Sequence, residues 1–218
     1  MRRRALVLAI SVLAIVGFAI AGFLYNRFST QQSGAAAVQE STSLVRPHSP
    51  ILGRADARVT IVEFFDPACE TCRALYPVVK KIMAEYPDEV RLVLRYAPFH
   101  KGSDEAVRIL EAARKQGIYV PVTEALLAAQ PQWANHHQPE IERAWTAAAT
   151  AGLNVEVARK EMLAPQITAV LTQDMADIRT LDVRQTPTFF VNGKPLPSFG
   201  VRQLQDLVRS EVEAVRKQ

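Results

Sequence analysis

The stretch Asp66-Pro67-Ala68-Cys69-Glu70-Thr71-Cys72 holds both cysteines of this 218-residue chain. Two thiols so close together can be a structural staple, part of a metal clip, or a reactive redox pair. A disulfide stabilises mainly by restricting the unfolded chain, and the gain grows with the loop it closes. A Cys69–Cys72 bond closes almost no loop, so a staple there contributes little. A structural metal site takes about four ligands. The chain has no third cysteine, and its histidines are His48, His100, His136 and His137. The adjacent His136-His137 pair sits in the polar run "WANHHQPE" and reads as an exposed loop. A reactive dithiol is the reading left standing.

The elements that must position the pair support it. "ARVTIVEFFDPA" is rich in β-branched and aromatic residues and predicts a buried strand. "CETCRALYPVVKKIMAEYP" follows, with Leu75, Val78, Val79, Ile82 and Met83 at helical spacing, and "EVRLVLRYAP" predicts a second strand. Strand, helix and strand of this length make a right-handed βαβ unit, with the cysteines at the strand-to-helix junction. A helix N-terminus presents unpaired N–H groups and the positive end of the dipole, which favour a thiolate at Cys69. Cys72, one turn in, is shielded and placed to attack a mixed disulfide.

Glu63 precedes Cys69 by six residues on the apolar strand. Buried beneath the pair it would pass protons to and from Cys72; on an alternating strand it would instead face solvent. Pro77 falls inside the helix, where a proline kinks the backbone. In "VRQTPTFFVNGKPLPSF", Pro187 removes a ladder donor, and an X-Pro bond is where a cis peptide can occur. A cis bond would leave the backbone at Thr186 open to an extended peptide, and Asn192-Gly193 predicts a hairpin turn.

Between Pro98 and Arg184 no strand pattern occurs. "SDEAVRILEAARKQG" predicts a helix with Ser103 as N-cap and Gly117 as stop, and "PVTEALLAAQ", "PEIERAWTAAATAG" and "NVEVARKEML" predict shorter ones. "PQITAVLTQDMADIRTLD" predicts a longer helix returning to the sheet, and Trp133 and Trp145 read as core of this segment. The final "VRQLQDLVRSEVEAVRK" is amphipathic, with Leu204, Leu207, Val208 and Val212 on one face.

Taken together, "VEFFDPACETC", the acid before the first cysteine, the helix proline and "TPTFFVNG" resemble the thioredoxin superfamily, and specifically the DsbA-like exported thiol oxidoreductases. The resemblance runs from about Val59 to the C-terminus. It implies an α/β thioredoxin fold with a helical insertion at about residues 100–165. It also implies Cys69 as nucleophile, Cys72 as resolving thiol, Glu63 as buried acid and Pro187 as a cis proline facing the pair, with Thr186 beside it in substrate binding. The intervening dipeptide departs from the family's strong oxidants, which carry Pro-His where this chain has Glu70-Thr71. Glu70 places a negative charge beside the thiolate, which predicts a weaker oxidant. Thr186 is more like the isomerase branch, and its hydroxyl is placed to donate to the Cys69 sulfur.

The first fifty residues concern delivery. "MRRR" precedes 21 uncharged residues, Ala5 to Tyr25, enough for a helix to span roughly 30 Å of hydrocarbon. Arginines on the N-terminal side hold residues 1–4 in the cytoplasm and send the rest outward. The reading is a signal anchor at 5–25 in a bacterial inner membrane, with a periplasmic domain. The alternative is a cleaved signal peptide, which the Ala19-Ile20-Ala21 pattern fits, leaving a soluble periplasmic protein. Either way the domain reaches an oxidising compartment.

Polar residues 26–50 predict a flexible linker, with His48 a solvated loop residue, and residues 51–218 the folded domain. The linker is too short for a dimerisation domain, so a monomer is expected. Four of the 26 basic residues lie in the first thirty positions, leaving 22 against 22 acidic ones, so no nucleic-acid-binding face is implied.

The expected function is a membrane-anchored thiol:disulfide oxidoreductase acting on exported proteins. It needs no cofactor beyond its own Cys69–Cys72 disulfide and no metal, and is reset by a membrane redox partner. That partner would be a quinone-linked oxidase if it donates disulfides, or an electron-delivering transporter if it reduces them. A periplasmic reductase or isomerase is the alternative. A metal-binding protein using Cys69, Cys72 and His136/His137 is the alternative of another class.

Overall fold

The computed structural model describes residues 43–217 together with Gly22. The expected anchor at 5–25, apart from that one residue, and the linker up to residue 42 lie outside the described residues. Among the described residues no helix is long and apolar enough to cross a membrane.

The sheet is built around β2 (Val59–Phe65), which pairs in parallel with β3 (Val90–Tyr96) and antiparallel with β4 (Thr188–Val191). Short edges β1 (Ile51–Leu52) and β5 (Lys194–Pro195) complete the order β1-β3-β2-β4-β5. The edge strands are two residues long, which limits pairing with other chains. Helix α1 (Glu70–Glu85) forms the expected crossover from β2 to β3, with Pro77 inside it. Asn192 and Gly193 both take positive φ, +47° and +83°, in the β4–β5 turn.

Both faces of β2 are covered, so the strand reads as a continuous apolar run rather than an alternating one. Ile61 and Phe65 face Cys72, Leu75 and Val79 of α1 in the larger core, which also takes Leu204, Val208 and Val212 of α7 (Val201–Arg216). Val62 and Phe64 face a second core with Val93, Phe190 and Ile178. Strand alternation then puts Glu63 on the α1 side, where it is completely buried.

The middle of the chain is helical as expected: α2 (Ser103–Lys115), α3 (Tyr119–Trp133), α4 (Ile141–Thr150), α5 (Val155–Glu161) and α6 (Pro165–Thr180). Trp133 and Trp145 are both buried in the larger core. Asn154 caps α5 by accepting from the Val157 N–H at 3.1 Å. Ser103 is not the cap of α2. Gly102, at φ +84°, occupies that position, and the Ser103 hydroxyl donates to the Asp66 carboxylate instead.

Residues 43–50, expected as part of the linker, are packed on the domain, with Ser43, Leu44 and Ser49 buried, because a buried cation on β3 draws them in. Arg95 has no exposed surface and bonds Asp174 at 2.8 Å and Asp177 at 2.6 Å, both on α6. It also donates to the carbonyls of Ser43 and Leu44. Arg46 closes on Asp177 at 2.6 Å, and His48 on Asp174 at 2.7 Å. His48 is therefore a partner of a buried carboxylate, not a solvated loop residue.

Removing one partner of a buried ion cluster leaves an uncompensated charge. Asp174→Ala is expected to destabilise the domain by about 3–5 kcal/mol, read as a lower urea midpoint. The apolar pair Arg95→Met with Asp174→Leu is expected to lose far less.

Candidate active site

The carbon skeleton of the site is the turn from β2 into α1. Asp66 ends the strand region and is completely buried. Its carboxylate accepts from the N–H of Ala68 at 2.9 Å, Phe99 at 2.8 Å and His100 at 3.0 Å, from the Ser103 hydroxyl, and pairs with His100 Nδ1 at 2.6 Å. Five contacts on one carboxylate fix the loop that presents Cys69. From the other side Gln130 of α3 donates to the carbonyls of Pro67 at 2.8 Å and Cys69 at 2.9 Å, while its oxygen accepts from Arg73 Nε at 2.9 Å. The helical insertion thus holds the cysteine turn directly.

Cys69 is the N-cap of α1, in an extended conformation at φ −78° and ψ 121°. Cys72 lies one turn in with no exposed surface, and both thiols are free. Their acidities are driven apart. Hydrogen bonding from the Cys72 thiol holds the Cys69 thiol down at about 5; burial opposes this, and the Thr186 side chain and the N–H groups of Cys72 and Thr71 add to it. Burial first, then the hydrogen bond it gives Cys69 and the charges of Glu63 and Cys69, push Cys72 far above the ordinary thiol range. The Asp66 N–H, 3.5 Å from the Cys72 sulfur, opposes this. The surroundings favour the thiolate at Cys69 and the protonated thiol at Cys72.

Glu63 sits under the pair. Among the described residues neither of its carboxylate oxygens has a hydrogen-bond partner. Burial, and secondarily the charge on Cys69, push it up to about 8. Of the two readings of this residue, the buried one describes its position. The Thr186–Pro187 peptide is cis, and the Thr186 carbonyl oxygen lies 3.3 Å from the Cys69 sulfur. Cys69, Cys72, Glu63, Thr186 and Pro187 are therefore gathered in one place from three separate segments. Glu70 and Thr71 are exposed on the first turn of α1. Glu70 is engaged: its carboxylate pairs with His136 Nε2 at 2.8 Å, and its own backbone N–H above all holds it below the usual carboxylate range, with burial opposing and that histidine adding to the effect. The bare negative charge expected beside the nucleophile is partnered.

His136 thus meets Glu70 rather than the sulfurs, and among the described residues no three or more His, Cys, Asp or Glu side chains converge as a metal site. His137 is exposed, its carbonyl accepting from Lys101 at 3.2 Å. Sequence reasoning missed Asp66, Gln130 and His100. Asp66 adjoins the motif, but nothing in the linear pattern announces that distant N–H groups will converge on it. Gln130 is one polar residue in an alanine-rich helix and His100 one in a loop.

The family profile described as Thioredoxin matches residues 46–209. The chain belongs to the thioredoxin superfamily. A solved thioredoxin-like oxidoreductase from Silicibacter pomeroyi DSS-3 is 34% identical, with TM-score 0.69, covering 81% of this chain and 98% of that one. The α-DsbA1 of Wolbachia pipientis shares the fold at TM-score 0.69 and 17% identity, covering 82% and 98%. The Na(+)/H(+) antiporter NhaA of Herminiimonas arsenicoxydans is 28% identical over 215 residues, which is 96% of this chain. The chain spans only about a quarter to a third of such curated relatives, 34% of that one and 25% of an NhaA 1 of Mycolicibacterium gilvum.

The split acidities predict a specific pH profile. Alkylation of the reduced protein by iodoacetamide is expected at Cys69 alone. Its rate should rise with pH about a midpoint near 5, the value to which Cys69 is held, and level off well before free cysteine would titrate. Peptide mapping and the 240 nm thiolate absorbance check this. A midpoint above 8 is the contrary result.

Proposed function

We propose that this enzyme donates disulfides to exported proteins from a domain anchored in the bacterial inner membrane by residues 5–25 and facing the periplasm. The observation that carries the direction is the thiolate–thiol pair. An ionised Cys69 stabilises the reduced enzyme, and whatever stabilises the reduced form makes the disulfide a stronger oxidant. The anchor rests on the arginine-led apolar segment.

The reaction starts from the oxidised enzyme. A substrate thiolate attacks the Cys69 sulfur, forming a mixed disulfide and breaking the Cys69–Cys72 bond. Cys72 leaves with the electron pair and takes a proton from the carboxylic acid of Glu63, which burial keeps protonated near neutral pH. A second substrate thiolate then attacks the substrate sulfur, and Cys69 leaves as the thiolate its surroundings favour. Two electrons have passed from the substrate dithiol to the enzyme. Of the two substrate protons, one balances the proton delivered to Cys72 through Glu63 and the other goes to solvent.

In the reverse direction Cys72 must lose its proton to Glu63. Capture of Cys69 in a mixed disulfide removes the neighbouring charge that helps hold the carboxyl neutral, so Glu63 ionises more readily and more of it is in the form that can accept the Cys72 proton. The Thr186 carbonyl beside Cys69 is the point where an extended substrate would pair with the backbone. Reset requires a membrane partner that accepts two electrons from the dithiol, of the quinone-linked oxidase kind. The reductive alternative is favoured by Glu70 one residue from the nucleophile, a charge that His136 offsets.

Cys69→Ser is expected to abolish oxidation of a reduced peptide dithiol, whereas Cys72→Ser, offered a disulfide-bonded peptide, should accumulate covalent mixed disulfides seen by non-reducing electrophoresis and mass spectrometry. Alkylation trapping in cells is expected to find the wild-type pair oxidised; a reduced steady state would reverse the assigned direction. Glu63→Gln, which keeps the shape but cannot deliver a proton, should slow release of Cys72 by about 100-fold. Stopped-flow fluorescence of mixed-disulfide turnover reads that step, and an unchanged rate would remove Glu63 from it.

A further inference from the structure

The start of α1 is ringed by side chains that the exchange chemistry above does not use. His100, in the loop after β3, is held through Nδ1 by the buried carboxylate of Asp66 at 2.6 Å. Its ring meets that of His136, from the loop after α3, with centroids 5.0 Å apart and planes inclined at 59°. His136 in turn holds Glu70, the residue after Cys69, at 2.8 Å. Two imidazoles in contact with each other are thereby flanked by two carboxylates around the N-terminus that carries the nucleophile. In the turn itself, the Asp66 backbone N–H is the group that faces the Cys72 sulfur.

We propose that His100 is a positioning residue for the redox reaction: clamped by Asp66, its imidazolium supplies the positive charge that the Glu70-Thr71 dipeptide lacks, and makes the Cys69–Cys72 disulfide more oxidising in mildly acidic surroundings than in alkaline ones. The proposal rests on the reading of Cys69–Cys72 as a redox couple.

The groups facing His100 are Asp66 from the β2–α1 turn, Cys69 and Glu70 from α1, and His136 from the α3–α4 loop. Lys101 is turned to the His137 carbonyl, and Arg73 is committed to Gln130. Partial burial works against the imidazolium. The Asp66 hydrogen bond and charge, then the charges of Cys69 and Glu70, outweigh it and raise the His100 pKa above its ordinary value.

The sign follows from linkage. The Cys69 thiolate exists only in the reduced enzyme, so His100 binds its proton more tightly there than in the disulfide form. Reduction is therefore favoured where Cys69 is ionised and His100 still protonated, from about pH 5 up to the raised imidazole pKa. The advantage disappears at higher pH, when the imidazole is neutral in both forms.

The test compares the full-length chain with His100→Asn, which keeps an N–H donor for Asp66 but no charge. At pH 5.5 the glutathione equilibrium of the variant should shift toward the disulfide by about two- to fivefold, the size expected for a partly buried charge still screened by solvent. At pH 8.5 the two proteins should coincide. An equal offset at both pH values would mark a merely structural effect through the Asp66 loop, and no offset at either would mean no coupling; each overturns the proposal.

Should the variant not fold, NMR of histidine-labelled wild type gives the same information. The His100 imidazole is expected to titrate at higher pH in the reduced than in the oxidised protein, and identical values overturn the idea. A wild-type chain that never equilibrates with glutathione would instead overturn the underlying redox reading, a failure seen before any variant is made.

Discussion

A single electrostatic constraint organises this molecule: one negative charge must be kept stable at the start of α1 while a second ionisable group beneath it stays neutral. Cys69 sits where α1 begins, with hydrogen bonds converging on its sulfur. Glu63, fully buried with neither oxygen partnered among the described residues, cannot afford ionisation while that thiolate is present. An unpaired acid in the core is unfavourable for folding. Its retention here makes chemical sense because Cys72, equally buried, needs a proton donor and acceptor that solvent cannot supply.

Holding that arrangement takes material from across the chain. Asp66 converts a short loop into a rigid one by gathering three backbone N–H groups, a hydroxyl and an imidazole on one carboxylate. Gln130 reaches in from the insertion to satisfy two carbonyls of the same turn. Buried backbone groups must be paired somewhere, and here the pairing is done by side chains of a segment that a minimal βαβ framework does not contain. The insertion is therefore part of the site's support as well as a cover for the larger core.

The far side of the sheet solves a different problem. Arg95 alternates onto the face opposite Glu63's neighbours, among Phe64, Val93 and Phe190, and lies over the Phe64 ring at 5.4 Å. Two aspartates of α6 neutralise it, and the same two take up Arg46 and His48 from the segment leading into β1. The cluster ties residues 43–48 to the centre of the domain, so this polar segment is held by buried ion pairing that its composition does not announce.

What the linear sequence determined was local. The βαβ unit, the helical middle and the Asn192-Gly193 turn are written in periodicity and in residues with restricted backbone preferences, because such signals act over a few neighbours. The placement of two cysteines at a strand-to-helix junction likewise needed only adjacent residues to be read as a dithiol. Bringing Pro187 and Thr186 against Cys69 required the resemblance to a family, since no spacing rule closes a sheet.

Only the tertiary structure decided the rest. Ser103 looks like a cap by its neighbours and instead serves Asp66; His48 looks solvated and instead meets Asp174. Glu70 looks like an uncompensated charge until His136, far along the chain, is folded onto it. In each case the energy of a polar group depends on which distant partner and how much solvent it finds, and those are properties of packing that no window of sequence contains.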